Sequence, residues 1–393
     1  MGTYYVKADK FFLPGGTMLG GYLPVADGKF GMWQAEEPAD GAEVLDMSGM
    51  WIAPGMVDTH IHGFYGHATT DVDADGLCAA SAELARRGTT SWVPTTFTDD
   101  PERIGQQCAA IAEAADERGP EFLGARIQGV FLEGPFFTMK HVGAQNPAYL
   151  IDPSVEVFED WQGKAEGRIV KSALAAEKPG ALKYIAALDA KGVKTAIGHS
   201  DATYDETLAA VNAGATVFVH TYNGQRGLHH RDPGVVGAAM TTPETYAELI
   251  CDGRHVAPAA VKALVDAKGW GNIVLITDCL ACGGLPEGNY ESGGMPVVMK
   301  DGLCYIRNED GTTGSIAGSV LTLAKGVKNM VDWGVVTAEQ AVRMATEIPA
   351  RSVGLDGVCG SIKPGRDADF CAFNPDMTLA ATYVGGMEVP AAE

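Results

Sequence analysis

The sequence lacks any long run of apolar residues. No stretch approaches the about 20 consecutive apolar residues that cross a bilayer as a helix, although 46% of the 393 residues are hydrophobic. Residues 1–10 contain no apolar signal-peptide core, and their Met-Gly-x-x-x-Val start lacks the Ser or Thr of a myristoylation site. These absences predict a chain that does not bind membranes and that has ample apolar material for a large core.

Basic residues are also scarce. The chain has 29 Lys and Arg against 50 Asp and Glu, which gives a formal net charge of −21. This charge argues against nucleic acid or an anionic membrane as a partner and is typical of a cytoplasmic protein. If the substrate is an anion, its site must create a local positive field.

Paired cysteines are missing as well. Of the eight cysteines, only Cys279 and Cys282 have C-x-x-C spacing. Without a second such pair a zinc knuckle is disfavoured, and a reduced cytoplasmic setting is the simplest interpretation. The nine histidines all lie between His60 and His255. We therefore expect the chemistry in the middle of the chain and support from its ends.

The ends and the middle differ in pattern. Residues 1–52 and 351–393 contain short alternating runs separated by glycine-rich turns, which predicts one small β-sandwich domain built from both termini. Between them, residues 53–350 alternate apolar β-branched runs with Ala-rich helical patterns such as Leu77–Arg87 and Asp205–Ala213. The overall expectation is an α/β fold. Eight strands are predicted, near 53–60, 90–96, 125–132, 168–175, 193–198, 215–220, 246–251 and 272–277.

Eight such units predict a (β/α)8 TIM-like barrel, whose active site lies at the C-terminal ends of the strands. The first strand ends in His60 and His62, which point to the same face because strand side chains alternate. Two such imidazoles are preset ligands for a divalent metal. A chance His-x-His on a solvated strand is the alternative, which the apolar strand before it disfavours.

Further metal-binding side chains follow the later strands, namely Glu133, His199, His220 and Asp278. Any one of them could be a hydrogen-bonded core residue, but six at strand ends predict a divalent metal site, with zinc preferred over iron or another transition metal. Such an ion lowers the pKa of water to about 7. Asp278 is the candidate for the catalytic proton carrier and also for a metal ligand.

Several of these sequence motifs are similar to those of a known enzyme superfamily. Pro-Gly-Met-Val-Asp-x-His-x-His (54–62), with later histidines and a final Asp, resembles the amidohydrolase superfamily. Other motifs, in order along nearly the whole chain, resemble the N-acetylglucosamine-6-phosphate deacetylases of that superfamily: 132–136, 198–200, 220–223, 231–234, 252–255 and 277–278. The resemblance implies hydrolysis of the acetamide of a phosphorylated amino sugar to acetate and an amine, in amino-sugar catabolism.

The resemblance also implies roles. It places one ion on Glu133, His199 and His220, and the intact first-strand pair adds a second site that shares Glu133 and Asp278. A carbamylated lysine, common in the superfamily, would be Lys171, but this residue lies near the start of its strand, so Glu133 is the better bridging ligand. Substrate contacts are implied for Ala144, Gln145, Asn223, Gly224, Arg231, Arg254, His255, Ile316, Ala317 and Gly318.

Arg231 matches an arginine that reaches the phosphate of the neighbouring subunit, which implies a homodimer; a solvated loop arginine is the alternative. Two departures touch the sugar contacts. Gln145 stands where many members have His, and Gly224-Gln225 stands where Ala-Met is common. A galactosamine-type deacetylase therefore stays open as an alternative. Two separate alternatives are a cyclic-amide or other acyl-amine hydrolase, which would not need the phosphate contacts, and a metal-free scaffold, which the presence of all six ligands disfavours.

Overall fold

The computed structural model describes residues 2–116, 119, 122–308 and 310–391. The chain begins with five strands: β1 (Thr3–Leu13), β2 (Gly16–Leu19), β3 (Tyr22–Ala26), β4 (Lys29–Phe30) and β5 (Glu43–Pro54). β1 lies between β3, its antiparallel neighbour, and β5, its parallel neighbour. Val6 and Ala8 of β1 are buried while the residues between and around them are more exposed, which gives the sheet one apolar face.

The middle of the chain alternates parallel strands with helices. The segment begins with β6 (Met56–Ile61), the small hairpin β7 (Gly63–Phe64) and β8 (His67–Ala68), α1 (Ala74–Ala85), β9 (Thr89–Pro94), α2 (Pro101–Asp116), β10 (Arg126–Ile127) and β11 (Val130–Leu132). It continues with α3 (Val155–Lys164), β12 (Ile169–Leu174), α4 (Ala181–Asp189), β13 (Lys194–Ile197), α5 (Tyr204–Asn212), β14 (Ala215–Phe218), α6 (Gly234–Thr241), β15 (Tyr246–Ile250), α7 (Pro258–Lys268) and β16 (Ile273–Ile276).

Local sequence explains where these helices begin and end. α5 starts at a capping box, in which the Thr203 side chain accepts from the Glu206 N–H and the Glu206 side chain accepts from the Thr203 N–H. α1 starts after Asp73, which accepts from the Gly76 N–H. Both helices lie where the sequence predicts them, each a few residues before a glycine.

The parallel strands form two curled sheets, with orders β10-β9-β6 and β11-β12-β13-β14-β15-β16. All eight predicted strands are present; the third is split into β10 and β11. Backbone hydrogen bonds connect the two sheets at both edges: Asp278 N–H donates to His60 O (2.9 Å), and Thr96 N–H donates to Phe131 O (2.9 Å). The carboxyl ends of these strands therefore meet around one central point.

The last third of the chain contains a sheet that the sequence did not predict. Strands β17 (Gly288–Ser292), β18 (Met295–Lys300), β19 (Leu303–Arg307) and β20 (Thr313–Ile316) form an antiparallel meander. It packs on Phe97 and Leu280 near the carboxyl ends of the parallel strands. Three helices follow: α8 (Leu323–Asp332), α9 (Ala338–Met344) and α10 (Glu347–Ser352).

The two ends of the chain meet in one sheet. The final strands are β21 (Phe370–Phe373), β22 (Leu379–Val384) and β23 (Met387–Glu388). β21 pairs antiparallel with β5, and the resulting eight-stranded sheet has the order β23-β22-β21-β5-β1-β3-β4, with β2 on β1. Among the described helices, none has both the length and the apolarity to cross a bilayer.

Candidate metal centre and adjoining cavity

Six side chains converge where the parallel strands end. Each residue lies at or just beyond the carboxyl end of its strand, and each is at most 9% exposed. They are His60 and His62 (β6), Glu133 (β11), His199 (β13), His220 (β14) and Asp278 (β16). The structure thus brings together all six residues that the sequence analysis proposed as metal ligands.

Three of the six residues have unusual backbone conformations. His199 (φ 46°), His220 (φ 27°) and Asp278 (φ 50°) lie at positive φ, which residues other than glycine rarely adopt. Such strain concentrates at functional sites, where the surrounding structure holds it in place. Here the sharp turn after each strand directs the side chain inward, towards the other members of the cluster.

Glu133 belongs to two overlapping groups of ligand atoms. Its Oε1 lies 3.1 Å from His220 Nε2 and 3.4 Å from His199 Nε2. The same oxygen lies 3.3 Å from His60 Nε2, while Oε2 lies 3.1 Å from His62 Nε2. Within each group the ligand atoms lie within 4.8 Å of one another. One carboxylate shared by two imidazole pairs has the arrangement of a bridging ligand.

Asp278 completes the second group. Its Oδ1 lies 3.3 Å from His62 Nε2 and 3.5 Å from His60 Nε2. The Asp278 side chain also borders the cavity described below. It is therefore near enough both to bind a cation beside the first-strand pair and to exchange a proton with a molecule in the cavity.

The imidazoles are oriented as metal ligands usually are. His62 Nδ1 faces the Thr95 carbonyl (3.1 Å), and His199 Nδ1 faces the His141 carbonyl (2.7 Å). Because a carbonyl only accepts, each Nδ1 carries the hydrogen and each Nε2 presents a lone pair. The Nε2 atoms of His60 and His62 are buried and have no hydrogen-bond partner among the described residues. These residues fit a divalent ion.

The electrostatics point the same way. Burial opposes a charge on His60, but Glu133 and Asp278 raise its pKa to about 10. Burial would likewise raise the pKa of Glu133, yet the histidines around it, His60 first, lower that pKa well below its ordinary value. The cluster therefore favours positive charge between its carboxylates, which a bound divalent cation would supply in place of the protons.

A cavity of about 330 Å³ opens beside this cluster. This volume lies in the usual range for small-molecule sites. Besides five of the six ligand residues, the lining contains most of the substrate contacts that the resemblance implies. These are Ala144, Gln145, Asn223, Gly224, His255, Ile316, Ala317 and Gly318.

Gln145 has a second set of contacts that the sequence did not reveal. Its Oε1 accepts the Thr98 N–H (2.7 Å), which fixes the orientation of the amide, and its Nε2 donates to Glu133 Oε2 (2.8 Å). The residue is 4% exposed. Gln145 thus lines the cavity and at the same time holds Glu133 in place.

His255 offers a free group at the cavity wall. Its Nδ1 lies 2.6 Å from Asp252 Oδ2, and its buried Nε2 has no hydrogen-bond partner among the described residues.

Gly224 keeps another part of the cavity wall open. A Cβ built on it would lie 3.1 Å from the His199 ring, and its φ of 57° disfavours a side chain.

Two predicted substrate residues lie elsewhere. Arg231 and Arg254 are exposed and do not line the cavity of their own chain. The Nη1 of Arg231 lies 2.8 Å from His230 Nε2 on the same loop. In a single copy of the chain, neither guanidinium lies at the cavity wall. Their contact with substrate stays a prediction.

Phe97 belongs to the site although no sequence motif marked it. Its ring stacks on the His62 imidazole, with centroids 3.8 Å apart and planes 18° apart, and it lines the cavity. The only available signal was its position three residues after β9. Ser315, near the end of the unpredicted meander, also lines the cavity. Neither residue could be found from the sequence, because its approach to the cavity depends on tertiary packing.

Comparisons with known proteins agree with this geometry. The family model described as "Amidohydrolase family" matches residues 51–389. The N-acetylglucosamine-6-phosphate deacetylase of Vibrio furnissii is 40% identical over 91% of this chain and 88% of its own. The N-acetylgalactosamine-6-phosphate deacetylase of Escherichia coli O157:H7 is 36% identical over 98% of both chains.

Solved structures give the same result. The N-acetyl-D-glucosamine-6-phosphate deacetylase D267A mutant from Mycobacterium smegmatis, in complex with N-acetyl-D-glucosamine-6-phosphate, superposes with a TM-score of 0.92. That chain is 30% identical, and the match covers 99% of this chain and 100% of the other. The similarity therefore extends over the parallel strands, the antiparallel meander and the sheet formed by the chain ends.

Proposed function

Because the chain belongs to the amidohydrolase family, we propose that its centre and cavity hydrolyse the acetamide of N-acetyl-D-glucosamine 6-phosphate. The products are acetate and glucosamine 6-phosphate, and the reaction belongs to amino-sugar catabolism. The observation that carries this proposal is a carboxylate, Glu133, shared by two imidazole pairs at the wall of a cavity of sugar-phosphate size.

The metal ligands are proposed from the same geometry. Glu133, His199 and His220 would hold one ion, and His60 and His62 would hold a second with Glu133 and Asp278. Zinc is the first choice and iron or another transition metal the alternative, because imidazole suits all of them. When bound, a divalent ion polarises a carbonyl and lowers the pKa of water to about 7.

The residues of the chain then move the proton. Asp278 accepts a proton from the attacking water as the C–O bond forms and returns it to the amide nitrogen as the C–N bond breaks. The nitrogen leaves as a neutral amine, which is a far better leaving group than an amide anion. Gln145 holds Glu133 through its amide, so that the ligand carboxylate keeps its position during the reaction.

The phosphate needs donors, because the chain as a whole carries a net charge of −21. His255, Asn223 and Gly224 line the cavity of this chain. As an imidazolium, His255 would donate from Nδ1 to Asp252 and from Nε2 to the phosphate. Arg231 would add a bidentate guanidinium from a second copy of the chain, as in a homodimer. Its exposed position away from its own cavity is compatible with that role. Arg254 would lie at the rim beside His255.

Three further parts of the proposal concern architecture and setting. The hydrogen bonds from Asp278 to His60 and from Thr96 to Phe131 support one closed (β/α)8 barrel spanning residues 53–350. The sheet shared by the chain ends supports a separate β-sandwich domain of residues 1–52 and 351–393. The eight cysteines form no disulfide among the described residues, which supports a cytoplasmic setting.

A second substrate has a specific observation in its favour. The relative from E. coli O157:H7, whose name specifies N-acetylgalactosamine 6-phosphate, covers 98% of this chain at 36% identity. The two sugars differ only in the configuration at C4, and Gln145 and Gly224 depart from the common pattern at the cavity wall. Acetate release from both phosphorylated sugars, measured side by side, decides between them.

Removing the phosphate should weaken catalysis strongly. Charge-assisted hydrogen bonds contribute about 1.5–3 kcal/mol each, so kcat/KM for unphosphorylated N-acetylglucosamine should fall by about a hundredfold or more. The measurement is acetate release from phosphorylated and unphosphorylated N-acetyl sugars, with a neutral cyclic amide as the control substrate. Equal rates with and without phosphate, or faster turnover of the cyclic amide, would contradict the proposal.

Excess zinc should reveal two ions in each chain. We expect the ion on Glu133, His199 and His220 to remain after dialysis and the ion on His60 and His62 to appear only at added zinc. The reason is that Gln145 already donates to Glu133 Oε2, the oxygen that faces His62, whereas His199 and His220 face Oε1. A zinc-soaked crystal with anomalous scattering measures this directly. A single peak at every zinc concentration would contradict the second site.

A further inference from the structure

Two charged residues beside the centre have no part in the reaction described above. Glu248 on β15 is 1% exposed, and Lys171 on β12 is 0% exposed. Buried charges destabilise a fold unless they are paired and hydrogen-bonded. Such a pair, placed directly behind a reaction centre, calls for a physical explanation.

The contacts of Glu248 connect it to both metal-binding groups. Its Oε2 lies 3.0 Å from His60 Nδ1 and accepts the backbone N–H of His220 (3.3 Å). Its other oxygen, Oε1, accepts from Lys171 Nζ. The lysine also donates to the Thr59 carbonyl (2.8 Å) and lies over the Phe131 ring, 3.7 Å from its centroid.

The Lys171 ammonium is therefore held in place by its hydrogen bonds to Glu248 and to the Thr59 carbonyl. It is 2.8 Å from a backbone carbonyl inside β6 and within hydrogen-bond distance of Glu248, on the far side of His60 from Glu133. With an ammonium as partner, Glu248 is an ionised carboxylate and can only accept hydrogen bonds. The hydrogen between Glu248 and His60 is then on Nδ1 of the imidazole.

From this arrangement we propose that Glu248 is a positioning residue for His60. By accepting the Nδ1–H, it directs the Nε2 lone pair of His60 towards Glu133 and Asp278, where the proposed second ion would bind. This inference rests on the proposed function only in taking that ion as present. Lys171 supplies the counter-charge that keeps the carboxylate ionised.

The other three imidazoles differ in this respect. His62 and His199 donate from Nδ1 to neutral backbone carbonyls, and His220 Nδ1 has no hydrogen-bond partner among the described residues. A carboxylate partner raises the basicity of an imidazole ligand more than a carbonyl does. Glu248 therefore affects the ion at His60 selectively, although the same carboxylate also contacts the His220 backbone.

The test is the zinc content of Glu248→Gln. The amide keeps the volume of the side chain but removes the charge that holds the His60 tautomer. Apoprotein prepared with a chelator is dialysed against a series of free zinc concentrations, and bound zinc is counted by mass spectrometry. We expect the affinity of the ion at His60 and His62 to fall about 10- to 100-fold, with the ion on Glu133, His199 and His220 unchanged.

A double variant separates positioning from stability. Glu248→Gln alone leaves the Lys171 ammonium buried without its anion, which lowers the melting temperature. Glu248→Gln with Lys171→Met removes both charges, so it should regain thermal stability while the ion at His60 stays weak. Recovery of that ion together with stability would mean that the pair acts only on folding, and it would overturn the proposal.

Other outcomes are equally decisive. Wild-type binding of both ions in Glu248→Gln, equal weakening of both ions, or a wild-type protein that binds no ion at His60 would each overturn the proposal. The zinc count does not depend on turnover. If Glu248→Gln loses that ion selectively although neither protein hydrolyses a sugar phosphate, the proposed substrate is wrong and the positioning role stands.

Discussion

Asp278→Asn should lower kcat by roughly 10²–10⁴, with a smaller change in KM. Asparagine keeps the shape of the side chain and one oxygen near His60 and His62, but it cannot take a proton from water at neutral pH. The amide nitrogen then has no acid to protonate it as the C–N bond breaks. The measurement is steady-state acetate release, with zinc content determined on the same sample.

Asp71→Asn is a suitable control for this variant. Asp71 is an exposed carboxylate that accepts the Ala68 N–H at 2.9 Å and does not line the cavity, and asparagine can make the same hydrogen bond. It should turn over like the wild type. Near wild-type turnover in Asp278→Asn with its zinc in place would transfer the proton role to Glu133.

His199→Ala should remove most of the ion bound with Glu133 and His220. The loss follows because His199 Nε2, held by the His141 carbonyl through Nδ1, is one of only three proposed ligands to that ion. Polarisation by a divalent ion contributes several kcal/mol to the transition state, and each 1.36 kcal/mol is a factor of ten. We expect kcat/KM to fall at least about a thousandfold.

The measurement combines zinc content after dialysis with acetate release at saturating zinc. His67→Ala is the matched control, because His67 lies on β8 outside the cavity lining and should keep both zinc and activity. If His199→Ala retains stoichiometric zinc and wild-type turnover, or if wild-type enzyme stays active in excess chelator, the metal assignment fails.

Several features could be read from local sequence for physical reasons. Most of the parallel strands contain a short apolar stretch such as Ile273–Ile276, because both of their faces are largely buried, and that pattern needs no knowledge of neighbours. The residue types after those runs, such as His199 and Asp278, were informative because parallel strands place their carboxyl ends together. Helix ends were equally local, as the Thr203–Glu206 capping box shows.

Other features had no local signal. The meander from β17 to β20 consists of short, partly exposed strands whose role depends on where they pack. Gln145 reads as a substrate contact, yet its amide is taken by Thr98 and Glu133, which are 47 and 12 residues away in sequence. Nothing near residue 145 encodes that choice, because it depends on which loops the fold brings together.

By itself, then, the sequence determined the order of the eight parallel strands, the ligand types at their ends and the family to which the chain belongs. The alternation of buried and exposed side chains along a strand and the capping of a helix both depend on a few neighbouring residues, so a short stretch of sequence is enough to predict them. Only the tertiary structure decided that Glu248 faces His60 across 188 residues and that Arg231 lies outside its own cavity. Those contacts depend on how the strands come together around the centre, a property of the whole chain that no local pattern contains.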